Sequence, residues 1–309
     1  MTKHIDKIVP LSAISLSIFL ALFAYQLASA NSLLPSQQKE NEIQDKNQTE
    51  ELAFDSVKTK PKILLVPGHE NEDYGAEYKG LKEAELNLRL AIELKDKLSP
   101  DFDVYLTRNE EGYEQIFQDF FNNEHSEISD FIFDHKNATK EKIEQKLFEP
   151  NQKIKHNKAT EEMITKLYGF NKWSDENEID LVLHIHFNDY PRKNNDEAGK
   201  YKGFSIYIPE KQLPNHKKSL ILAEYLQNSL LDFLKPSNLN IEKETIIESQ
   251  TLIAVGANNT LNTPSVLVEY SYIYEDFLQN ENKRYAALEV MVNKTRDAIK
   301  DYFILESSS

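Results

Sequence analysis

Residues 62–98 read KILLVPGHENEDYGAEYKGLKEAELNLRLAIELKDKL, and this stretch decides the fold. Ile63-Leu64-Leu65-Val66 is a short apolar run ended by Pro67-Gly68, the pattern of a buried strand. The period then changes. Leu86, Leu90, Leu94 and Leu98 fall four apart, with Leu88 and Ile92 alongside, which makes the apolar stripe of a helix between Leu81 and Leu98.

Working outward, the same alternation continues. Val104-Tyr105-Leu106 reads as a second strand, and 109–178 as mostly helical and polar. Within that segment Asn137-Ala138-Thr139 is expected to cap a helix over 140–148. Leu181 to Phe187 is a third strand and Phe204 to Ile208 a fourth. Leu220 to Leu234 is helical, 245–255 holds a fifth strand, and Val266 to Val268 opens a sixth. A long helix from about Glu275 to Phe303 closes the domain. Strands separated by helices imply an α/β fold, with a single domain, a mostly parallel twisted sheet of about six strands and helices on both faces. Such sheets place their sites at the carboxyl ends of the strands. His69 follows strand one, Glu269 ends the run from Ser265 to Val268, and Glu83 opens the first helix near the same rim.

Composition narrows the function classes. The chain has 309 residues, with 51 acidic against 36 basic side chains and a net charge of −15. That balance argues against nucleic acid as a partner, because phosphate binding needs clustered Lys and Arg. With no cysteine there is no thiolate metal site, disulfide, Cys nucleophile or lipid acceptor on sulfur. Lys3 and Lys7 precede an apolar stretch from Ile8 to Leu27, and Ala28-Ser29-Ala30 supplies a small-residue site. Residues 1–30 therefore read as a secretory signal peptide. The rival is an N-terminal membrane anchor, since the stretch is long enough to cross about 30 Å of hydrocarbon. Either way the rest of the chain is exported and extracytoplasmic, secreted to the wall or periplasm or tethered to the membrane. Residues 31–60 are polar and poor in large apolar groups, as in a disordered linker. The folded domain is expected over 61–309, without internal repeats.

Four segments carry chemistry: Pro67-Gly68-His69, Gly80-Leu81-Lys82-Glu83, His186-Phe187-Asn188 and Leu267-Val268-Glu269. Two imidazoles and one carboxylate hold a catalytic zinc with a fourth position left for water, and a spare Glu beside that water is the usual general base. The residues alone leave choices open. Glu85 or Glu77 could replace Glu83. His184 and His186, two apart on one strand, face the same way, so either could be the ligand and the other a hydrogen-bonding or packing residue. Glu269 could equally pair with a cation across the rim.

Taken in register, the motifs resemble the zinc-dependent N-acetylmuramoyl-L-alanine amidases of the type-3 group. That family shows a strand ending in Asp-Pro-Gly-His, a Gly-x-x-Glu opening a helix, a Ser-x-His-x-Asn strand and a Pro-x-Val-Leu-Val-Glu run near the C-terminus. Here Val66-Pro67-Gly68-His69, Asp73, Gly75 and Ala76, Gly80 to Glu83 with Asn87-Leu88, and Leu106-Thr107-Arg108 fall at matching places. So do His184-Ile185-His186-Phe187-Asn188, Gly203 to Tyr207, and Pro264 to Glu269; the resemblance covers about residues 62 to 304.

The resemblance implies one Zn2+ held by His69, Glu83 and His186, with Glu269 as the catalytic carboxylate. It implies hydrolysis of the amide between N-acetylmuramic acid and L-alanine, with peptidoglycan as partner and a protein regulator beside it. Another amide substrate, or a wall-binding protein that kept the fold without catalysis, are the competing readings. His184 stands where relatives have Ser, Glu70 and Asn71 where Gly-Gly is common, and Asn259 near where an Arg is frequent. The 109–178 segment reads as an extended helical crossover or insert. His184 and Asn188 are candidate supporting or substrate-binding residues. In the loop 189–202, Arg192 is expected to meet the carboxylates of the peptide.

Overall fold

A computed structural model describes residues 60–70, 72–151 and 159–306, all within one compact unit spanning Lys58–Ser309. The expected signal or anchor over 1–30 and the linker up to residue 59 lie outside the described residues. Among the described residues, no helix is long and apolar enough to cross a membrane.

The sheet has six strands: β1 (Lys62–Pro67), β4 (Asp103–Leu106), β5 (Leu181–Asn188), β6 (Ser205–Pro209), β7 (Ile246–Ser249) and β8 (Ser265–Tyr272). A two-stranded hairpin of β2 (Glu77–Tyr78) and β3 (Leu81–Lys82) stands apart from it. Strand order is β4-β1-β5-β8-β6-β7. The first four run parallel, as the alternation of strand and helix requires, whereas β6 lies antiparallel to β8 and carries β7 with it. The reversal has a local cause. No helix intervenes between β5 and β6, and a parallel connection needs a crossover.

Helices α1 (Glu83–Leu98), α5 (His216–Leu230) and α7 (Glu281–Glu306) cover one face, where the leucine stripe of α1 is fully buried with Leu183, Ile185 and Phe187 of β5. Each such leucine contributes about 1.5–3 kcal/mol. Glu83 and Glu85 in the first turn of α1 and Lys95 and Lys97 in its last suit the helix dipole. Between β4 and β5 run α2 (Gln115–Asn123), α3 (His125–Glu144) and α4 (Glu161–Glu176), which pack Phe117, Phe120, Ile128, Phe170 and Trp173 over Leu64, Val66 and Val182 on the other face.

Several boundaries differ from expectation. The helix predicted for 140–148 is the tail of α3, which passes straight through Asn137 and Thr139; Thr139 is buried against neighbouring structure instead of capping anything. The fifth strand is only four residues long and gives way to 3-10 turns at Ile253–Val255 and Ala257–Asn259. The C-terminal helix is interrupted at Asn280, between the short α6 (Asp276–Gln279) and α7. Glu269 does not end its strand, because β8 runs three residues further to Tyr272.

Candidate active site

The carboxyl end of β1 turns at Gly68 and delivers His69 in the left-handed region, φ 62°. The turn is held rigidly. The Gly68 N–H donates to the Ile185 carbonyl at 2.9 Å, and its own carbonyl accepts from Asn87 (2.9 Å) and Arg108 (3.1 Å). The buried Arg108 also reaches the carbonyls of Pro67 and Ala84, so it ties β1 to the start of α1. This accounts for Asn87 and Arg108 in the motif pattern.

His69, Glu83 and His186 converge, and their ligand atoms all lie within 4.8 Å of one another. His69 Nε2 is 3.3 Å from Glu83 Oε2, and His186 Nδ1 is 3.1 Å from Glu83 Oε1. Tetrahedral coordination at about 2.0–2.1 Å would separate donors by roughly 3.3 Å, so the three fit one ion. Glu83 is further fixed by the backbone N–H groups of Ala76 (2.9 Å) and Phe187 (3.3 Å) and by Asn87 (3.3 Å). Two glycines make room: a Cβ on Gly68 would fall 2.1 Å from the His186 ring, and one on Gly75 (φ +72°) 2.5 Å from Glu83 and His69.

The electrostatics suit a cation. Burial opposes ionisation of Glu83, but hydrogen bonds from His186 and His69 and their charges hold its carboxyl well below the ordinary range. Burial lowers the pKa of His186, leaving a neutral ring able to donate a lone pair. For His69 burial is outweighed by Glu83, and the pKa is raised. Glu85 and Glu77, the sequence competitors of Glu83, stay outside the cluster.

Glu269 lies directly across from His186 in the parallel β5–β8 register, yet it does not belong to the cluster. Its Oε2 is buried without a hydrogen-bond partner. Burial, then the negative charges of Glu83 and Glu242, push its carboxyl well above the usual range. A carboxyl with raised proton affinity beside such a cluster has the chemistry an acid–base role needs.

His184, two residues back on the same strand, is buried, and burial lowers its pKa to about 3, so it is neutral. It lines the deep end of the cleft with Ala254 and Leu267. Arg192 is placed differently from expectation. Its side chain is 5% exposed and its guanidinium pairs with Asp189 at 2.8 Å and 3.0 Å. It also donates to the carbonyls of Glu77, Asn194, Asn195 and Glu197 and lies over the rings of Tyr78 and Tyr274. The residue thus organises its own loop.

The cluster, His184 and Glu269 line a cleft of about 530 Å³, and Arg192 does not reach it. Its floor is His69, Glu83, His186, Asn188 and Glu269, and Met163, Leu167 and Phe170 of α4 form an apolar wall. Glu70 pairs with Lys166 of α4 at 3.1 Å, joining the segment after the first histidine to the helical crossover. Sequence reasoning passed over Glu242, a fully enclosed acid that takes hydrogen bonds from Asn188, Tyr207 and Tyr272. Nothing in the sequence around the 3-10 turn Asn240–Glu242 signals it.

A family model described as N-acetylmuramoyl-L-alanine amidase matches residues 63–301. A curated relative from Buchnera aphidicola subsp. Schizaphis graminum, described as a putative N-acetylmuramoyl-L-alanine amidase, is 26% identical over 78% of this chain and 95% of its own. Two solved structures share the fold. The N-acetylmuramyl-L-alanine amidase Ami1 of Mycobacterium smegmatis superposes with a TM-score of 0.52 at 11% identity, covering 79% of this chain and 97% of that one. The apo form of the Mycobacterium abscessus enzyme gives 0.52 at 13% identity, covering 79% and 99%.

Proposed function

Because the chain belongs to the N-acetylmuramoyl-L-alanine amidase family, and so acts on peptidoglycan outside the cytoplasm, we propose that it is a zinc enzyme in which His69, Glu83 and His186 hold the ion and Glu269 moves the proton. The observation that carries this reading is the convergence of two imidazoles and one acid from β1, α1 and β5 beside a second, unpartnered carboxyl on β8. Bound zinc would supply the Lewis acidity that polarises the amide carbonyl and brings the pKa of an attacking water from 15.7 toward about 7.

The chain's own residues do the rest. Glu83 and the neutral His186 keep three donors fixed before substrate arrives. Glu269 accepts the proton of the attacking water on its carboxylate and returns it to the departing alanine nitrogen, so one group serves as base and then acid. The apolar wall from α4 limits water around the reacting amide. Residues 1–30 export the chain, as a cleaved signal or a retained anchor, and 31–60 tether the catalytic domain at 61–309. A protein regulator would reach it in that compartment.

The test compares the parent with Glu269→Ala in dye release from labelled sacculi, with zinc counted in both. Release should vanish in the variant while zinc stays. Loss of zinc would make Glu269 a ligand, and a new amine other than that of L-alanine would make the enzyme a peptidase.

A further inference from the structure

Asn188 ends β5, two residues beyond His186 and on the same face, and it lines the cleft. Its Nδ2 donates to Glu242 Oε1 at 2.9 Å. Glu242 is 2% exposed, and it also accepts from two neutral donors, Tyr207 OH on Oε1 at 2.9 Å and Tyr272 OH on Oε2 at 3.0 Å. The register shift on β8 after Glu269 brings Tyr272 opposite Asn188, so the strand irregularity itself builds this contact. A carboxylate can only accept hydrogen bonds. Asn188 therefore commits its NH2 to Glu242, and Oδ1 is the end of the amide left for a ligand in the cleft that the residue lines. A free amide at such a position could present either end; this one is held to one.

Resting on the amidase reading above, we propose that Asn188 Oδ1 accepts a hydrogen bond from an amide N–H of the bound muramyl peptide, and that Glu242 is the positioning residue that fixes the amide in that sense. The ligand class is an N–H donor. An incoming acceptor, such as a carboxylate or carbonyl oxygen, is repelled at this point.

Glu242→Gln is the conservative control. Gln can still accept from Asn188 and Tyr207 through Oε1. Its NH2 can donate to Tyr272 OH, whose proton then turns to Ser237 Oγ, 3.3 Å away. Glu242→Leu removes every acceptor at similar volume.

Steady-state kinetics of the zinc-loaded full chain on a soluble muramyl peptide read the outcome, with thermal melting alongside. Asn188→Ala should raise KM about tenfold, with kcat within about threefold. Glu242→Leu should do the same, the double variant should be no worse than Asn188→Ala alone, and Glu242→Gln should retain most of the parental KM. An unchanged KM in Asn188→Ala overturns the proposal, as do losses that multiply in the double variant. If Glu242→Leu does not fold, Asn188→Ala and Glu242→Gln decide, since a Gln variant as impaired as Asn188→Ala refutes the positioning role. A parent that releases no amine from the muramyl peptide would sink the amidase reading, a result distinct from an active parent with an insensitive Asn188→Ala.

Discussion

Gly68→Ala tests the site with a single methyl group. An alanine Cβ there would lie 2.1 Å from His186 Cε1, 2.2 Å from Nε2 and 2.6 Å from Nδ1. Ordinary contact begins at 3.4 Å, so the ring must give way by 1.3 Å, the difference between 3.4 Å and 2.1 Å. The backbone cannot retreat, because Ile185, Asn87 and Arg108 hold both its N–H and its carbonyl. Gly68 is not among the positive-φ residues, so alanine brings no backbone strain. The displacement therefore falls on the His186 ring, which sits 3.1 Å from Glu83. Metal sites tolerate about ±0.2 Å, and misplacement by about 1 Å costs about 100-fold in rate. We expect Gly68→Ala to lose at least about 100-fold in kcat/KM, equivalent to about 2.7 kcal/mol, and to retain far less than one zinc per chain after dialysis. Its melting temperature should stay within about 5 °C of the parent, because the clash is confined to one ring at a strand end. Gly68→Ala protein that carries one zinc and releases dye at the parental rate would refute the reasoning, since the ring would then not be where the ligand set requires it.

Glu269→Gln keeps the shape of the side chain but removes its proton-accepting oxygen; release should fall by about 10²–10⁴-fold with zinc content unchanged, by metal analysis. Chelation should abolish release and lower the melting temperature, and zinc added back at 100 times its Kd should restore about 2.7 kcal/mol of stability, read by calorimetry. Arg192→Lys keeps the charge but loses the planar fork that spans Asp189 and four carbonyls; a melting point lower by about 5 °C with KM little changed is expected. Leu90→Ala, fully buried in the α1 stripe, should cost about 2–5 kcal/mol in denaturant unfolding.

The strands and the cluster of His69, Glu83 and His186 were legible because each has a local signal. Apolar runs ended by Pro-Gly or a polar residue mark β1 and β5, and motif order picked His186 over His184 and Glu83 over Glu85. In the structure the His186 ring reaches Glu83 at 3.1 Å, whereas His184 lies two residues back beside Leu267 and outside the cluster. What escaped notice depends on distant partners. The reversal of β6 follows from a missing crossover helix. The continuity of α3 through Asn137 and Thr139 is imposed by packing, which overrides their preference for caps. Arg192 looked like a free cation because its acceptors are mostly backbone carbonyls, to which a sequence gives no address. Glu242 is the extreme case, an acid in a polar segment whose three donors come from β5, β6 and β8.

The position of β8 also dictates when the molecule becomes competent. This strand is the last of the sheet to leave the ribosome, yet it is the sole bridge between β5 and β6. A nascent chain that stops before Ser265 owns two half-sheets with no shared edge, and it lacks Glu269 altogether. The sheet is thus joined across its width only when almost the whole polypeptide has emerged and this strand has slotted between its neighbours.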